Sequence, residues 1–220
     1  MSEQTILFLH GFTASARSTK AQYLGERFKA LPQVDFDAID FNPTPADFEH
    51  MTTTGLIHRL RQFVLDRDLG ALSIIGSSYG GLIALHYAHR FGGVEKMLLL
   101  APGLCWLSGG LSDEELAHWR DRGIVPVFHP AFGRELPLRY DLQRDGLCYL
   151  EFIPPSAPTL IIHGWNDSTV PVDHSRRYAA DFADSVQLIE MDADHDLNGH
   201  LDLIWESVQT FLLRTKQGGE

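Results

Sequence analysis

The stretch GSSYG at residues 76–80 places a serine hydroxyl where it could serve as a nucleophile. It fits the pattern Gly-x-Ser-x-Gly with Ser78 at the centre, between an apolar run and the helical pattern of residues 81–91. In that context the pattern is typical of a sharp strand-to-helix turn that exposes the serine above the end of a sheet. Ser78 is therefore the predicted nucleophile. Ser77 is a poor alternative because Ile75, and not a glycine, stands two residues before it.

A serine hydroxyl is a weak nucleophile, so it needs a base, and the base needs a partner that orients it. Asp167 follows the apolar run of residues 159–164, and His195 follows that of residues 186–191. Sites on open α/β sheets form where the carboxyl ends of parallel strands meet, so both loops are expected near Ser78. The order Ser, Asp, His along the chain also matches one known arrangement of such triads. The sequence therefore predicts a catalytic triad.

Such a triad also needs two backbone N–H groups that stabilise the oxyanion of the tetrahedral intermediate. One comes from the residue after the nucleophile, here Tyr79, and the other from the loop after an early strand. The stretch FLHGFTAS at residues 8–15 ends the first apolar run, and it makes Phe12 the second predicted donor.

Other polar residues near these loops have plainer interpretations. We interpret His10 and His163 as structural histidines at strand ends, and His200 as a surface or capping residue. Asp194 flanks His195, but sequence neighbours rarely orient a histidine ring, so Asp167 is the preferred acid. The acidic stretch DADHDLNG at residues 192–199 has Leu197 where a calcium loop requires its glycine, and Leu203 stands where the loop requires its glutamate, so no metal site is predicted.

The elements that must position these residues alternate along the chain as short apolar runs and helical patterns, which is typical of βα units on a parallel sheet. Six runs are candidate strands, at residues 5–10, 34–39, 71–76, 96–101, 159–164 and 186–191. Their nearly continuous hydrophobicity favours a sheet covered on both faces by helices. The predicted fold is a three-layer α/β domain with about six mostly parallel strands.

Residues 102–157 interrupt this alternation. The segment is rich in aromatic residues and prolines and contains no clear βα unit, so we expect an irregular cap or lid inserted into a single domain of residues 1–220. Trp106 comes shortly after the fourth predicted strand, at the same edge of the sheet as Ser78. It is the predicted substrate-binding residue, because small-molecule pockets have mostly apolar walls.

Composition narrows the possible partners. The chain has 220 residues and a net charge of −11, which disfavours nucleic acid and anionic membranes as main partners. No apolar run is long enough to span a membrane, and the N-terminal stretch lacks the basic start of a signal peptide. The two cysteines, Cys105 and Cys148, are expected to be reduced and buried. A cytoplasmic location and no cofactor are therefore predicted.

Two stretches carry a resemblance to a known family. LHGFTASARSTKAQYL at residues 9–24 and GSSYGG at residues 76–81 resemble the YqiA-like bacterial esterases, a branch of the α/β-hydrolase superfamily. IIHGWNDSTVP at residues 161–171 gives a looser similarity to acyl-protein thioesterases. The resemblance implies an α/β-hydrolase fold with the same nucleophile, acid, base and oxyanion donors. The tyrosine after the nucleophile and the aromatic segment depart from the YqiA-like pattern.

The predicted function is hydrolysis of a carboxylic ester or thioester through an acyl-enzyme intermediate, on a small-molecule acyl substrate. A peptidase or an acyltransferase could use the same triad. A non-catalytic binding protein on the hydrolase fold is a third possibility, which the complete triad disfavours. The natural acyl and leaving groups and the oligomeric state stay open.

Overall fold

A computed structural model describes residues 4–105, 111–149 and 152–213. Its strands are β1 (Gln4–Leu9), β2 (Val34–Ile39), β3 (Leu72–Ser77), β4 (Val94–Leu100), β5 (Ile124–His129), β6 (Arg134–Arg139), β7 (Thr159–Gly164) and β8 (Val186–Met191). Six of them form one sheet in the order β2-β1-β3-β4-β7-β8, and every pairing in it is parallel. Strands β5 and β6 pair antiparallel as a separate hairpin.

Helices cover both faces of this sheet. They are α1 (Thr19–Phe28), α2 (Pro45–Glu49), α3 (Thr53–Asp66), α4 (Tyr79–Phe91), α5 (Asp113–Arg122), α6 (Asp141–Gly146), α7 (Val172–Asp181) and α8 (Leu201–Ser207). A π-helical turn, Val208–Leu212, continues α8. The longest of the helices, α3, has 14 residues. Over the three described ranges, no helix has both the length and the hydrophobicity needed to cross a membrane.

The alternation of side chains along β1 shows why three layers form. Leu7 and Leu9 belong to a core cluster with residues of α3 and α4, whereas Ile6 and Phe8 belong to a second cluster with residues of α1 and α8. Successive side chains of a strand point to opposite faces, so a strand that is apolar throughout requires helices on both sides. The predicted three-layer fold is confirmed.

The predicted strand positions agree closely with the structure. The second, fifth and sixth apolar runs match β2, β7 and β8 residue for residue, and the first and third are shifted by one residue. The fourth strand, β4, begins at Val94, two residues before its predicted start. The three strands that precede Ser78, Asp167 and His195 therefore end at the predicted residue or one residue from it.

The segment between β4 and β7 is more regular than predicted. It contains α5, the β5-β6 hairpin and α6. Helix α5 begins with a capping box, in which the Ser112 side chain accepts from the Glu115 amide and Glu115 accepts in return from Ser112. Such reciprocal bonds satisfy two N–H groups that a helix start otherwise leaves unpaired. The expectation of an irregular insertion was wrong, since the segment forms two helices and a hairpin, and the capping box is a local signal for the first of these helices. The action of the segment as a cap stays a prediction.

Long-range packing joins this segment to the main core. Trp119 of α5 is buried, and its Nε1–H donates to the Leu138 carbonyl at 3.1 Å. Asp145 of α6 accepts from the Thr54 amide at 2.8 Å, at the first turn of α3.

Cys105 is buried, but Cys148 is exposed on the turn after α6, so the expectation of burial was wrong for Cys148. Neither of these two cysteines forms a disulfide bond.

Candidate active site

The turn between β3 and α4 holds Ser78 in a strained conformation. Its φ is 52° and its ψ is −118°, which non-glycine residues rarely adopt. The flanking glycines are needed because neighbouring backbone comes very close. A Cβ on Gly80 would lie 2.3 Å from the Leu9 carbonyl oxygen, and one on Gly76 would lie 2.7 Å from the Gly81 Cα. The tight turn therefore places the Ser78 hydroxyl at the carboxyl edge of the sheet, at the positive end of α4.

Three side chains from three strand ends form a hydrogen-bonded chain. His195 Nε2 lies 2.9 Å from Ser78 Oγ, and His195 Nδ1 lies 2.7 Å from Asp167 Oδ2. An ionised carboxylate only accepts hydrogen bonds, so Nδ1 carries the proton and Nε2 is free to accept one from the serine hydroxyl. The Asp167 side chain is 0% exposed and that of His195 is 21% exposed. The structure thus brings together the three residues that the sequence singled out for a triad.

Several donors hold Asp167 as an anion. Its Oδ1 accepts from the amides of Thr169 and Val170, both at 2.8 Å, and its Oδ2 lies 3.1 Å from His163 Nε2. Burial alone would raise the pKa of Asp167, but the hydrogen bonds from His163, His195 and the Val170 amide outweigh it and hold the pKa well below its usual value. A permanently charged carboxylate suits a residue that must stabilise a cationic imidazole.

Backbone contacts tie the loop that carries Asp167 to the loop that carries His195. The Trp165 amide donates to the Met191 carbonyl at 2.9 Å, and the Asn166 amide donates to the Ala193 carbonyl at 3.1 Å. Gly164 permits this approach, because a Cβ there would lie 2.1 Å from the Ala193 carbonyl oxygen. The spacing of the two side chains therefore depends on backbone geometry as well as on their own hydrogen bond.

Asp194 has a different partner from the one an orienting acid would need. Its Oδ1 accepts from the amides of Asp196 and Leu197, at 3.1 and 3.2 Å, and so shapes the turn after His195. Lys20 of α1 holds the same turn from outside, since its Nζ donates to the Asp196 carbonyl at 2.5 Å. Burial lowers the pKa of Lys20, while Asp196 and Asp194 partly offset that effect. Lys20 lies in the stretch that carries the family resemblance, but sequence reasoning gave it no role.

The two predicted oxyanion donors belong to neighbouring backbone. A Cβ on Gly11 would lie 3.3 Å from Ser78 Cβ, so the loop after β1 passes directly beside the nucleophile just before Phe12. The Phe12 and Tyr79 rings meet edge to face, with centroids 6.4 Å apart. Tyr79 is buried, its hydroxyl lies 2.8 Å from Thr53 Oγ1, and burial raises the pKa of its phenol. Its side chain is therefore an anchor for the elbow.

The histidines set aside in the sequence occupy three different settings. His10 Nε2 accepts from the Phe41 amide at 3.0 Å and His10 Nδ1 lies 2.8 Å from the Gly11 carbonyl oxygen, which agrees with a structural interpretation. His200 Nε2 lies 3.0 Å from the Asp192 carbonyl oxygen. His163 contacts the Asp167 carboxylate, a contact that sequence reasoning missed. The signal in the sequence that could have indicated this contact was the position of His163 at the end of a strand, one residue before Gly164.

A large cavity adjoins these loops. It has a volume of about 1100 Å³ and reaches Phe12 on one side and Ser168–Pro171, next to Asp167, on the other. Apolar side chains from the segment between β4 and β7 form much of its wall, namely Leu116, Trp119, Val125, Val127, Leu138 and Leu142. Asp113, Glu114 and Glu115 line it from the exposed first turn of α5. No lysine or arginine occurs among the lining residues that the structure describes. The predicted substrate residue Trp106 lies outside the described residues.

Over residues 4–105, 111–149 and 152–213, no group of three or more histidine, cysteine or acidic side chains is arranged to hold a metal ion.

Comparison with known proteins shows the family to which this chain belongs. Residues 5–212 match the family described as "Uncharacterised protein family (UPF0227)". The chain belongs to this family. No curated protein matches it in sequence. The match spans all six strands of the main sheet except the first residue of β1.

Solved structures similar to this family member share the α/β-hydrolase fold. A provisionally named hydrolase of Agrobacterium vitis S4 has a TM-score of 0.82 at 22% identity, covering 94% of this chain and 87% of its own. Mouse alpha/beta hydrolase domain-containing protein 10 has a TM-score of 0.78 at 20% identity, and the match covers 94% of this chain and 89% of the mouse chain. Est1E of Butyrivibrio proteoclasticus, solved with ferulic acid bound, has a TM-score of 0.80 at 19% identity, covering 96% and 88%. The α/β-hydrolase fold implied by the resemblance is confirmed.

Proposed function

We propose that this protein is a serine hydrolase that cleaves a carboxylic ester through an acyl-enzyme intermediate. The observation that carries the proposal is the hydrogen-bonded chain from Ser78 Oγ through His195 to Asp167 Oδ2. A serine hydroxyl bonded to a histidine whose other nitrogen donates to a buried carboxylate is the arrangement that activates serine for acyl transfer. Est1E, one of the similar structures, was solved with ferulic acid bound, and a bound carboxylic acid supports a substrate that releases one.

The proposed mechanism gives each group a step. Ser78 Oγ attacks the acyl carbon while His195 Nε2 takes the hydroxyl proton, and the N–H groups of Phe12 and Tyr79 stabilise the resulting oxyanion. His195 then gives the proton to the leaving alcohol, which departs and leaves an acyl group on Ser78. A water molecule then loses a proton to His195 Nε2 and attacks the acyl carbon. The bond from this carbon to Ser78 Oγ breaks, the acid leaves, and His195 returns the proton to Ser78 Oγ. Asp167 stays ionised and stabilises the imidazolium in both halves of the reaction.

A fluorophosphonate probe combined with turnover of p-nitrophenyl butyrate tests this proposal. We expect one probe molecule per chain, located on Ser78 by peptide mass spectrometry, together with loss of ester turnover. Absence of both labelling and turnover would favour the alternative of a non-catalytic binding protein. Labelling without ester turnover would favour a peptidase, and turnover that depends on an added alcohol acceptor would favour an acyltransferase.

The cavity supports an apolar and uncharged acyl substrate. Most of the lining residues from the segment between β4 and β7 are apolar, and the exposed Asp113, Glu114 and Glu115 would repel carboxylates and phosphates. Acyl-coenzyme A thioesters carry several phosphate charges, so we propose an oxygen ester, or a thioester with a small neutral thiol, as the substrate. Trp106 is proposed to complete the apolar wall.

Chain length should therefore control turnover. Each methylene buried in the cavity contributes about 0.8 kcal/mol, so kcat/KM should rise roughly fourfold per methylene along a p-nitrophenyl ester series until the cavity is full. Val125→Phe, which fills part of the cavity, should shorten the optimal chain while sparing the acetyl ester, and Trp106→Ala should also shift the optimum. Val94→Phe, on a residue of β4 that does not line the cavity, is the control. An equal loss on acetyl and octanoyl esters in Val125→Phe would contradict an acyl-binding role for this wall.

A further inference from the structure

Asp167 is shared by two serine-histidine pairs. On one side lie His195 and Ser78, already described. On the other side, His163 Nε2 lies 3.1 Å from the same Asp167 Oδ2, and His163 Nδ1 lies 2.7 Å from Ser175 Oγ on α7. Both His163 and Ser175 are 0% exposed. The second pair is therefore closed to substrate, whereas the first opens to solvent through His195.

The partners of His163 determine where its proton lies. Its Nε2 is within hydrogen-bond distance of two acceptors, Asp167 Oδ2 and the Val170 carbonyl oxygen at 3.0 Å. Neither a carboxylate nor a carbonyl can donate, so Nε2 must carry a proton. The Ser175 hydroxyl can donate to Nδ1, which then needs no proton of its own. The contacts are therefore fully satisfied by a neutral imidazole protonated on Nε2.

We propose that His163, fixed by Ser175, is a positioning residue that turns the Asp167 carboxylate so that Oδ2 faces His195. The carboxylate has one remaining rotation, about its Cβ–Cγ bond. Amides of Thr169 and Val170 hold Oδ1, and the Nε2–H of His163 holds Oδ2 in the direction of His195 Nδ1. Preorganised partners of this kind keep a catalytic group within the narrow geometry that proton transfer requires.

The surroundings favour His163 for this role over the charged groups near the triad. Asp194 and Lys20 act on the turn after His195, and each hydrogen-bonds backbone atoms of that turn. His163, in contrast, contacts the carboxylate itself. Its hydrogen bond, like that of His195, lowers the pKa of Asp167. The proposal rests on the triad function of Ser78, Asp167 and His195.

The first test is spectroscopic and needs no substrate. In two-bond ¹H–¹⁵N spectra of histidine-labelled protein at neutral pH, we expect His163 to show the Nε2–H tautomer. The His163 signals are assigned from their absence in His163→Gln. A proton on His163 Nδ1 would overturn the proposal, because Ser175 would then accept and could not fix the ring as described.

The second test separates positioning from packing. His163→Leu removes the donor and should lower kcat about 10- to 100-fold, the range typical when an outer partner of an active-site group is lost, with little change in KM. In His163→Gln the side-chain amide can reach the position of Nε2 and donate, so this variant should recover most of the loss. Equal losses in the two variants would overturn the positioning role, since only packing would then matter.

Ser175→Ala tests the outer end of the hydrogen-bonded series from Ser175 through His163 to Asp167, with a smaller change in side chain. It should lower kcat part of the way towards His163→Leu and reduce the fraction of the Nε2–H tautomer. Ser207→Ala, on a buried serine of α8 away from the triad, is the matched control. If Ser175→Ala and Ser207→Ala behaved alike in both measurements, Ser175 would not fix the ring. Fluorophosphonate labelling of wild-type Ser78 separates these outcomes, because its failure would count against the triad while the tautomer of His163 stayed measurable.

Discussion

Replacing Ser78 by alanine is expected to lower kcat for p-nitrophenyl butyrate at least about 10⁴-fold, because the members of a triad act as a unit and little chemistry survives without the nucleophile. The fold should be retained. Alanine is smaller than serine, and the Ser78 amide, which donates to the Leu100 carbonyl at 2.8 Å, is unaffected. Circular dichroism and the midpoint of urea unfolding check the fold, and steady-state kinetics at saturating ester check the rate.

Ser77→Ala is the matched control for Ser78→Ala. Ser77 is the last residue of β3 and is buried beside the nucleophile, but it has no hydrogen bond to His195. Its loss should reduce kcat far less than the loss of Ser78. Fluorophosphonate labelling of Ser78→Ala at another serine, with ester turnover retained, would show that Ser78 is not the nucleophile.

Asp167→Asn is expected to lower kcat by roughly 10⁴-fold, as the corresponding change does in a well-studied triad. The physical reason is the tautomer of the base. An asparagine amide can donate to His195 Nδ1, so the ring proton moves to Nε2, and Nε2 can then no longer accept the proton of Ser78 Oγ. Nearly unchanged side-chain volume keeps the packing intact, so the effect should appear in kcat with the protein still folded.

Asp194→Asn is the control for this change, because Asp194 bonds to backbone amides and not to His195. It should have a mild effect on kcat. If Asp194→Asn were severe and Asp167→Asn mild, the orienting acid would be Asp194, and the 2.7 Å contact between His195 and Asp167 would have no catalytic role.

The same Asp167→Asn variant should change how stability depends on pH. The folded-state pKa of Asp167 lies below its usual value, so its ionisation stabilises the fold fully above the unfolded pKa of about 3.9. That contribution is lost as pH falls through the folded pKa. The free energy of unfolding of the wild type should therefore fall relative to the variant between about pH 5 and pH 2. Urea unfolding at several pH values measures the difference, and a constant difference would contradict the assigned shift.

Local sequence patterns determined most of the sheet and the choice of the three triad residues. Continuous apolar runs specify buried parallel strands, because a strand covered on both faces has no solvent-facing side and is therefore apolar throughout. Glycines around Ser78 indicate a turn too tight for side chains, and the 2.3 Å approach at Gly80 is the physical reason. Asp167 and His195 could be chosen because each follows a strand, and parallel strands deliver their carboxyl ends to one edge.

The contacts around that edge depended on the tertiary structure. His163 and Ser175 stand on β7 and α7, 12 positions apart in the chain, and nothing in their spacing shows that they meet under Asp167. Lys20 reaches the turn after His195 across 176 positions. Such pairings arise from how helices pack on the sheet, and many sequences are compatible with each of them.

In the segment between β4 and β7, too, some features follow from local sequence signals and others from contacts between residues far apart in the chain. Its capping box at Ser112 and Glu115 is a local signal that the sequence does contain. The β5-β6 hairpin is local as well. The burial of Trp119 against Leu138 is non-local, and so is the cavity that these elements enclose with Phe12 and Val170. The sequence by itself determined the sheet and the candidate chemistry at its edge. Only the tertiary structure decided what surrounds the acid and which residues line the cavity beside its loop, because both depend on contacts between residues far apart in the chain.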